Sequence, residues 1–191
     1  MRKTYIHDQK FSNLNFTEKQ LQICEYENCT FKNCNFAETN LSDFNFDECI
    51  FIECDLSNAK TTNTAFKNVE FERCKLIGMQ FDACNPFLLQ FRFTSCQLNL
   101  SNFYQLKIKN TFFKECSLHE VDFSETDLSG SVFDNCDFTR AIFGNSNLEK
   151  TDFQTSINFS IDAETNRIKK AIFSVQNISG LLDKYGVIIN N

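Results

Sequence analysis

Tryptophan is absent, proline occurs once, glycine five times and histidine twice, at His7 and His119. So few glycines cannot furnish the glycine-rich loop that cradles a phosphate, and nucleotide-binding folds lose ground. Two histidines leave little room for a histidine metal site or an acid–base pair, so enzyme chemistry and a bound cofactor start from a weak position. No apolar run approaches the ~18 residues of a membrane span, and the N-terminal MRKTYIHDQKFSN lacks the apolar core of a signal peptide. The expected compartment is the cytoplasm, with reduced thiols and no membrane association. Acids outnumber Lys and Arg 25 to 19, giving a net charge of −6. That balance disfavours direct binding to nucleic acid and suits a basic partner.

What the chain has in excess is phenylalanine, 23 of them, and cysteine, 10, in a 191-residue chain of single-domain size. Their spacing organises the sequence. Counting in fives from Phe11 meets a large apolar residue at every step to Phe81 except Thr61; counting in fives from Phe93 meets one at every step to Phe153. A period of five is neither the 3.6 of a helix nor the 2 of a flat strand. The other slots are constrained too. Every cysteine falls two residues before a centre or, for Cys84, before the next slot of the same register, and Asn or Asp often stands just before the centre, as at Asn35, Asp122 and Asp152.

A longer period lies above the pentad. Leucine centres pair as 21/41, 56/76, 98/118 and 128/148, and cysteines recur as 34/54/74 and 96/116/136, all at 20 residues. Four pentads therefore make one coil, with like residues stacked above one another, and the chain reads as a four-sided solenoid. Repeat register accounts for Cys24, Cys29 and Cys34 without a metal, and parallel Cα–Cβ vectors keep stacked cysteines from the geometry of a disulfide. Both histidines read as surface residues.

Strings such as CTFKNCNFAETNLSDFNF and VDFSETDLSGSVFDNCDF resemble the A-(D/N)-L-x-x pattern of pentapeptide-repeat proteins. The resemblance implies an all-β, right-handed quadrilateral β-helix over 11–157, with the centre and the small residue two before it pointing inward. Residues 1–10 are then a lead-in. Coils spaced at about 4.8 Å predict a rod on the order of 35 Å long.

Individuality in a solenoid belongs where the repeat fails. Between Phe81 and Phe93, two extra residues enter beside Pro86, the only proline, and Phe87, Leu88 and Leu89 make this 82–92 insertion apolar. It either folds back on the coil or projects as a contact element. After Phe153 the pattern loosens: Ser174 caps an expected short helix carrying Ile178, Leu181, Leu182 and Tyr185, Gly186 stops it, and Val187, Ile188 and Ile189 read as a strand. Residues 158–191 are thus an irregular last coil followed by a module that caps the rod or dimerises it. Dimerisation is preferred, because capping alone does not need the strand.

This tail, IKKAIFSVQNISGLLDKYGVII, resembles that of the gyrase-interacting pentapeptide-repeat proteins, the Qnr, MfpA and albicidin- or microcin-immunity type. The resemblance implies a non-catalytic homodimer that mimics DNA, binds DNA gyrase or topoisomerase IV and protects it from quinolones or peptide toxins. Charge placement offers a partial check. Residues 33–59 carry Glu38, Asp43, Asp47, Glu48, Glu53 and Asp55, and 115–139 carry Glu115, Glu120, Asp122, Glu125, Asp127, Asp134 and Asp137; neither stretch holds a Lys or Arg. The rival reading is a scaffolding rod with an unrelated protein partner.

Overall fold

A computed structural model describes residues 5–188. Eleven short strands follow one another: β1 (Tyr5–His7), β2 (Lys10–Ser12), β3 (Glu25–Glu27), β4 (Thr30–Lys32), β5 (Asn45–Asp47), β6 (Ile50–Ile52), β7 (Ala65–Lys67), β8 (Val69–Glu72), β9 (Phe91–Thr94), β10 (Phe112–Lys114) and β11 (Val132–Asp134). They pair in parallel as a four-stranded sheet, β1-β3-β5-β7, and a seven-stranded one, β11-β10-β9-β8-β6-β4-β2. Two further sides are ladders of single bridges, Asn15 to Asn35 to Asp55 to Lys75 on one and Gln80 to Asn102 to Asp122 to Ile142 on another. The result is the expected right-handed quadrilateral β-helix. Its register is the 20-residue period itself, Phe11 opposite Phe31 and Phe31 opposite Phe51.

The pentad follows from the corners. The residue two after most centres takes a left-handed conformation, as at Asn28, Asn33, Glu38, Asp43 and Glu48, with φ between 50° and 66°. One such residue turns the chain between sides. Asn or Asp before the centre closes the turn from inside: Asn35 Oδ1 accepts the Ala37 amide at 3.0 Å, Asp55 Oδ1 the Ser57 amide at 3.0 Å, and Asp122 Oδ1 the Ser124 amide at 2.8 Å. These are turns in which a short side chain stands in for a backbone carbonyl.

The core is a set of columns. Along one side, nine phenylalanines from Phe11 through Phe31, Phe51, Phe71, Phe93, Phe113, Phe133 and Phe153 to Phe173 stack with centroids 4.6–5.4 Å apart. Rings of neighbouring columns meet edge to face, as Phe31 does Phe46 at 85°, an arrangement that suits their quadrupoles. The cysteine slot has its own logic. Many of these small side chains donate to the carbonyl of the preceding side one coil down: Cys54 to Phe31 O and Cys74 to Phe51 O at 3.3 Å, Thr126 to Phe103 O and Ser146 to Phe123 O at 2.7 Å. Cysteine, serine and threonine interchange there because each is small and carries one donor. Thr61, where the pentad count fails, is buried and donates its hydroxyl to Gln80 O at 2.7 Å.

Two departures from expectation concern the ends. The coil begins before residue 11, because Ile6 on β1 sits opposite Tyr26 and extends the five-residue phase back from Phe11. Past 157 a last coil follows, as the sequence leads one to expect, with Asp152 bridged to Ile172 and Phe173 stacked on Phe153 at 5.4 Å. The expected C-terminal helix and strand do not form. Instead, 3₁₀ turns span Ile178–Leu181 and Asp183–Tyr185, and Val187 and Ile188 are in no strand, while Ile189 lies outside the described residues. A short segment cannot easily offset the cost of nucleating an α-helix, and Gly180 in its middle adds about 1 kcal/mol. Gly180 is needed there for another reason: a β-carbon at that position would collide with the Phe159 carbonyl oxygen and ring. Gly186 does stop the segment, in the left-handed conformation.

Candidate interaction surface

Residues 82–92 divide into anchors and a tip. The Asn85 amide donates to Thr64 O at 2.9 Å and its Oδ1 accepts the Phe87 amide at 3.0 Å; the Gln90 amide returns to Phe66 O at 3.1 Å. Leu89 is buried, and Phe91 packs edge-on to Phe81 at 5.2 Å. Pro86 stands exposed between them, and Phe87 and Leu88 are 68% and 63% exposed. The segment thus folds back at Leu89 and Phe91 and presents two large apolar side chains to solvent.

The acids of the two charge stretches fall into two groups. Asp43, Glu48, Glu53, Glu115, Glu120 and Glu125, with Glu38, occupy exposed left-handed corners. Asp47, Asp55, Asp122, Asp127, Asp134 and Asp137 lie on the sides and are half-buried. Side carboxylates serve the fold first. Asp137 illustrates the balance: burial alone would raise its pKa, but hydrogen bonds from Asn158, Thr139 and His119 outweigh burial and hold it down to about 2.

Cations on adjacent coils meet five of these acids. Lys67 reaches Asp47 at 3.5 Å, Arg73 Glu53 at 3.1 Å, Lys75 Asp55 at 3.9 Å, Lys109 Asp127 at 3.2 Å and Arg140 Glu120 at 2.8 Å. Lys114 lies 3.7 Å from Glu115, and His119 Nε2 2.9 Å from Asp137. A window without Lys or Arg in the sequence is therefore not a surface without them, because the neighbours that matter stand about 20 residues away. Exposed pairs of this kind contribute ~0–1 kcal/mol each, yet they reduce the negative field outside the rod.

The C-terminal segment is held to the last coil by Asn177, whose amide donates to Phe153 O and Ser156 O at 2.9 Å, and by Lys184, 2.5 Å from Asp162 and 2.7 Å from Glu164. Leu181 packs against the core, whereas Ile178, Leu182, Tyr185, Val187 and Ile188 are exposed. Sequence reading missed a companion feature. Ile142, Ile157 and Ile172 are 47–53% exposed and lie one coil above Asp122, Asp137 and Asp152. On three sides, over the last one and a half coils, an isoleucine stands where the coil below has an aspartate, a change visible in the 20-residue alignment of the chain with itself.

All ten cysteines are free and buried. Burial raises the Cys84 and Cys96 thiols to about 12. Cys24, Cys29 and Cys34 sit on successive sides and do not converge, and among the described residues no cluster of His, Cys, Asp and Glu is arranged to hold a metal. No described helix is long and apolar enough to cross a membrane.

Comparison with known sequences settles the lineage. A family model described as the pentapeptide repeat region matches residues 24–92 and 87–158. The chain belongs to the pentapeptide-repeat family. No curated protein matches this pentapeptide-repeat chain by sequence. Among solved structures it is similar to trypsin-treated QnrB1, described as a plasmid-mediated fluoroquinolone resistance protein, with a TM-score of 0.73 and 19% identity over 98% of this chain and 92% of that one. Full-length QnrB1 aligns at a TM-score of 0.56 and 17% identity over 96% and 100% of the two chains. HetL, a pentapeptide-repeat protein involved in heterocyst differentiation regulation from the cyanobacterium Nostoc, aligns at 0.54 and 14% identity over 91% and 89%. At these identities the shared property is the fold.

Proposed function

We propose that this pentapeptide-repeat protein is a non-catalytic, dimeric DNA mimic that binds a type II topoisomerase, DNA gyrase or topoisomerase IV, in the cytoplasm and protects it from quinolones or peptide toxins. The observation that carries the reading is the set of exposed corner carboxylates, Glu38, Asp43, Glu48 and Glu53 around one coil and Glu115, Glu120 and Glu125 around another, on a four-sided rod. Carboxylates at successive corners girdle the rod in each zone, and the summed field of such girdles is one that a DNA-binding surface is built to meet. Resemblance to a fluoroquinolone resistance protein along 98% of the chain adds support. The exposed Ile178, Leu182, Tyr185, Val187 and Ile188, with the isoleucines of the last one and a half coils, supply an apolar end suited to a two-fold contact between copies.

The acids that carry the function are, in this reading, the corner acids and not the side aspartates, of which Asp55, Asp122, Asp127 and Asp137 close turns. Glu48→Lys, Glu120→Lys and Glu125→Lys together leave every aspartate-closed turn intact. Wild-type protein is expected to restore supercoiling by gyrase, or decatenation by topoisomerase IV, in the presence of a quinolone or albicidin, and the triple variant to require at least tenfold more protein. Equal potency of the two proteins removes charge mimicry from the account. A second reading, a regulatory scaffold, rests on the likeness to HetL. It takes precedence if wild-type protein leaves both topoisomerases unaffected at micromolar concentration.

A further inference from the structure

The corner acids occupy the two ends of the charge pattern; its middle is basic. From Lys60 to Lys114 the chain carries eight cations, Lys60, Lys67, Arg73, Lys75, Arg92, Lys107, Lys109 and Lys114, against three acids, Glu70, Glu72 and Asp82. Within this band the 86–90 loop bounds a cleft of about 540 Å³ lined by Lys67, Lys107, Lys109, Leu88 and Gln90, with Asp47 at its edge. Lys107 and Lys109 flank the inward Ile108, so both face outward on the side continued by Asp127, Asn147 and Arg167. Asp47 is engaged by Lys67 and Asp127 by Lys109, but Lys107 is exposed and has no carboxylate partner among the described residues. Phe87 and Leu88 are held out at this loop although the core uses neither.

We propose that this cleft docks an acidic peptide segment of a partner protein carrying a large apolar side chain, which seats against Leu88 while its carboxylates meet Lys107 and its neighbours. Three features select that occupant. Lys67 stands two coils from Lys107 and Lys109, about 9.6 Å at the spacing of paired strands, a span that fits successive carboxylates of a peptide better than one phosphate. The apolar rim calls for a side chain and not for a second anion. Acidic zones on either side of the band repel a long polyphosphate backbone and leave a short acidic segment room to enter. The site lies outside the corner glutamates and does not depend on the topoisomerase reading.

Fluorescence anisotropy on the full-length protein tests this, with a fluorescein-labelled decapeptide of glutamates and aspartates around a central Leu-Phe pair. Saturable binding is expected, weakening as salt rises from about 50 to 300 mM because the contacts are screened. Lys107→Glu breaks no ion pair and is expected to weaken binding at least fivefold, as is Leu88→Asn, with unchanged circular dichroism melts. Lys150→Glu, at a distant corner, leaves affinity unchanged. Equal binding by wild type and Lys107→Glu overturns the proposal, as does equally tight binding of a peptide without the Leu-Phe pair. So does displacement by ATP or single-stranded DNA at lower concentration than by unlabelled peptide, and so does no saturation at about 1 mM. None of these measurements uses a topoisomerase, so this proposal and the protection reading fail separately.

Discussion

Phe113→Ala removes a ring from the middle of the nine-membered column. Phe113 is fully buried and stacks on Phe93 at 5.0 Å and on Phe133 at 4.6 Å, with Phe103 and Phe123 each 6.3 Å away edge to face. Burying such a ring is worth several kcal/mol, and Phe→Ala in a core costs ~3–5 kcal/mol once the cavity is included. Lost ring–ring contacts contribute ~0.5–1.5 kcal/mol each, partly counted in that figure already. Coils above and below are fixed by their own hydrogen bonds, so the column cannot collapse to fill the gap, and the upper end of the range, about 4–5 kcal/mol, is expected. Because each coil touches only its neighbours, a break there also uncouples the two halves of the rod. Urea denaturation followed by far-ultraviolet circular dichroism should show a lower midpoint together with a shallower or biphasic transition. Fluorescence of Tyr26, buried in the N-terminal half, should report one phase alone once Tyr5, Tyr104 and Tyr185 are replaced by Phe. A loss below about 2 kcal/mol with an unchanged slope would refute the claim that the column is rigid and continuous.

Asp137→Asn keeps the Oδ1 acceptor for the Thr139 amide but removes the charge facing His119. The native carboxyl is lowered from 3.8 to about 2, so its contribution is complete above the unfolded value and fades as pH falls through the folded one. With partial exposure discounted, wild type should be more stable by about 1 kcal/mol at pH 6, and denaturation curves should converge as pH falls below the ordinary carboxylate range. Leu100→Asn, at an exposed left-handed corner with φ 62°, should stabilise the fold by ~0.5–1 kcal/mol, since Asn tolerates that backbone; a lower melting temperature would count against corner strain. Gly180→Ala should release the C-terminal segment, seen as rapid proteolysis after residue 173 with the coils intact; protease resistance equal to wild type would show that the segment needs no close approach. Thiol titration at pH 8 should label none of the ten cysteines quickly in native protein and all ten in denaturant.

The interior of this rod was legible because one rule repeats: a centre every five residues, a partner every 20. Phe51 over Phe31, or Cys74 over Cys54, follows from counting. Ile6 obeys the same count, yet with one coil-mate below Phe11 it carried too little signal to mark a start. The surface was less legible. Glu53 meets Arg73, and Asp127 meets Lys109, across neighbouring coils, so a linear charge window shows the acids and hides their partners. The tail was misread where local pattern and tertiary contact compete: apolar residues at helical spacing suggested a helix, but Gly180 must lie against Phe159, and Asn177 spends its side chain on the coil beneath.

A 20-residue coil also makes the molecule a ruler. From Lys107 the chain climbs through Asp127 and Asn147 to Arg167, three rungs and about 14 Å up one wall. Inserting or deleting a whole coil changes that reach by one rung and leaves every feature on its original wall. Deleting a single pentad instead would turn everything beyond it by a quarter of a revolution. Distance along the rod and direction around it are thus set by separate edits to the sequence, so the 86–90 loop can be moved relative to the apolar end without redesigning either.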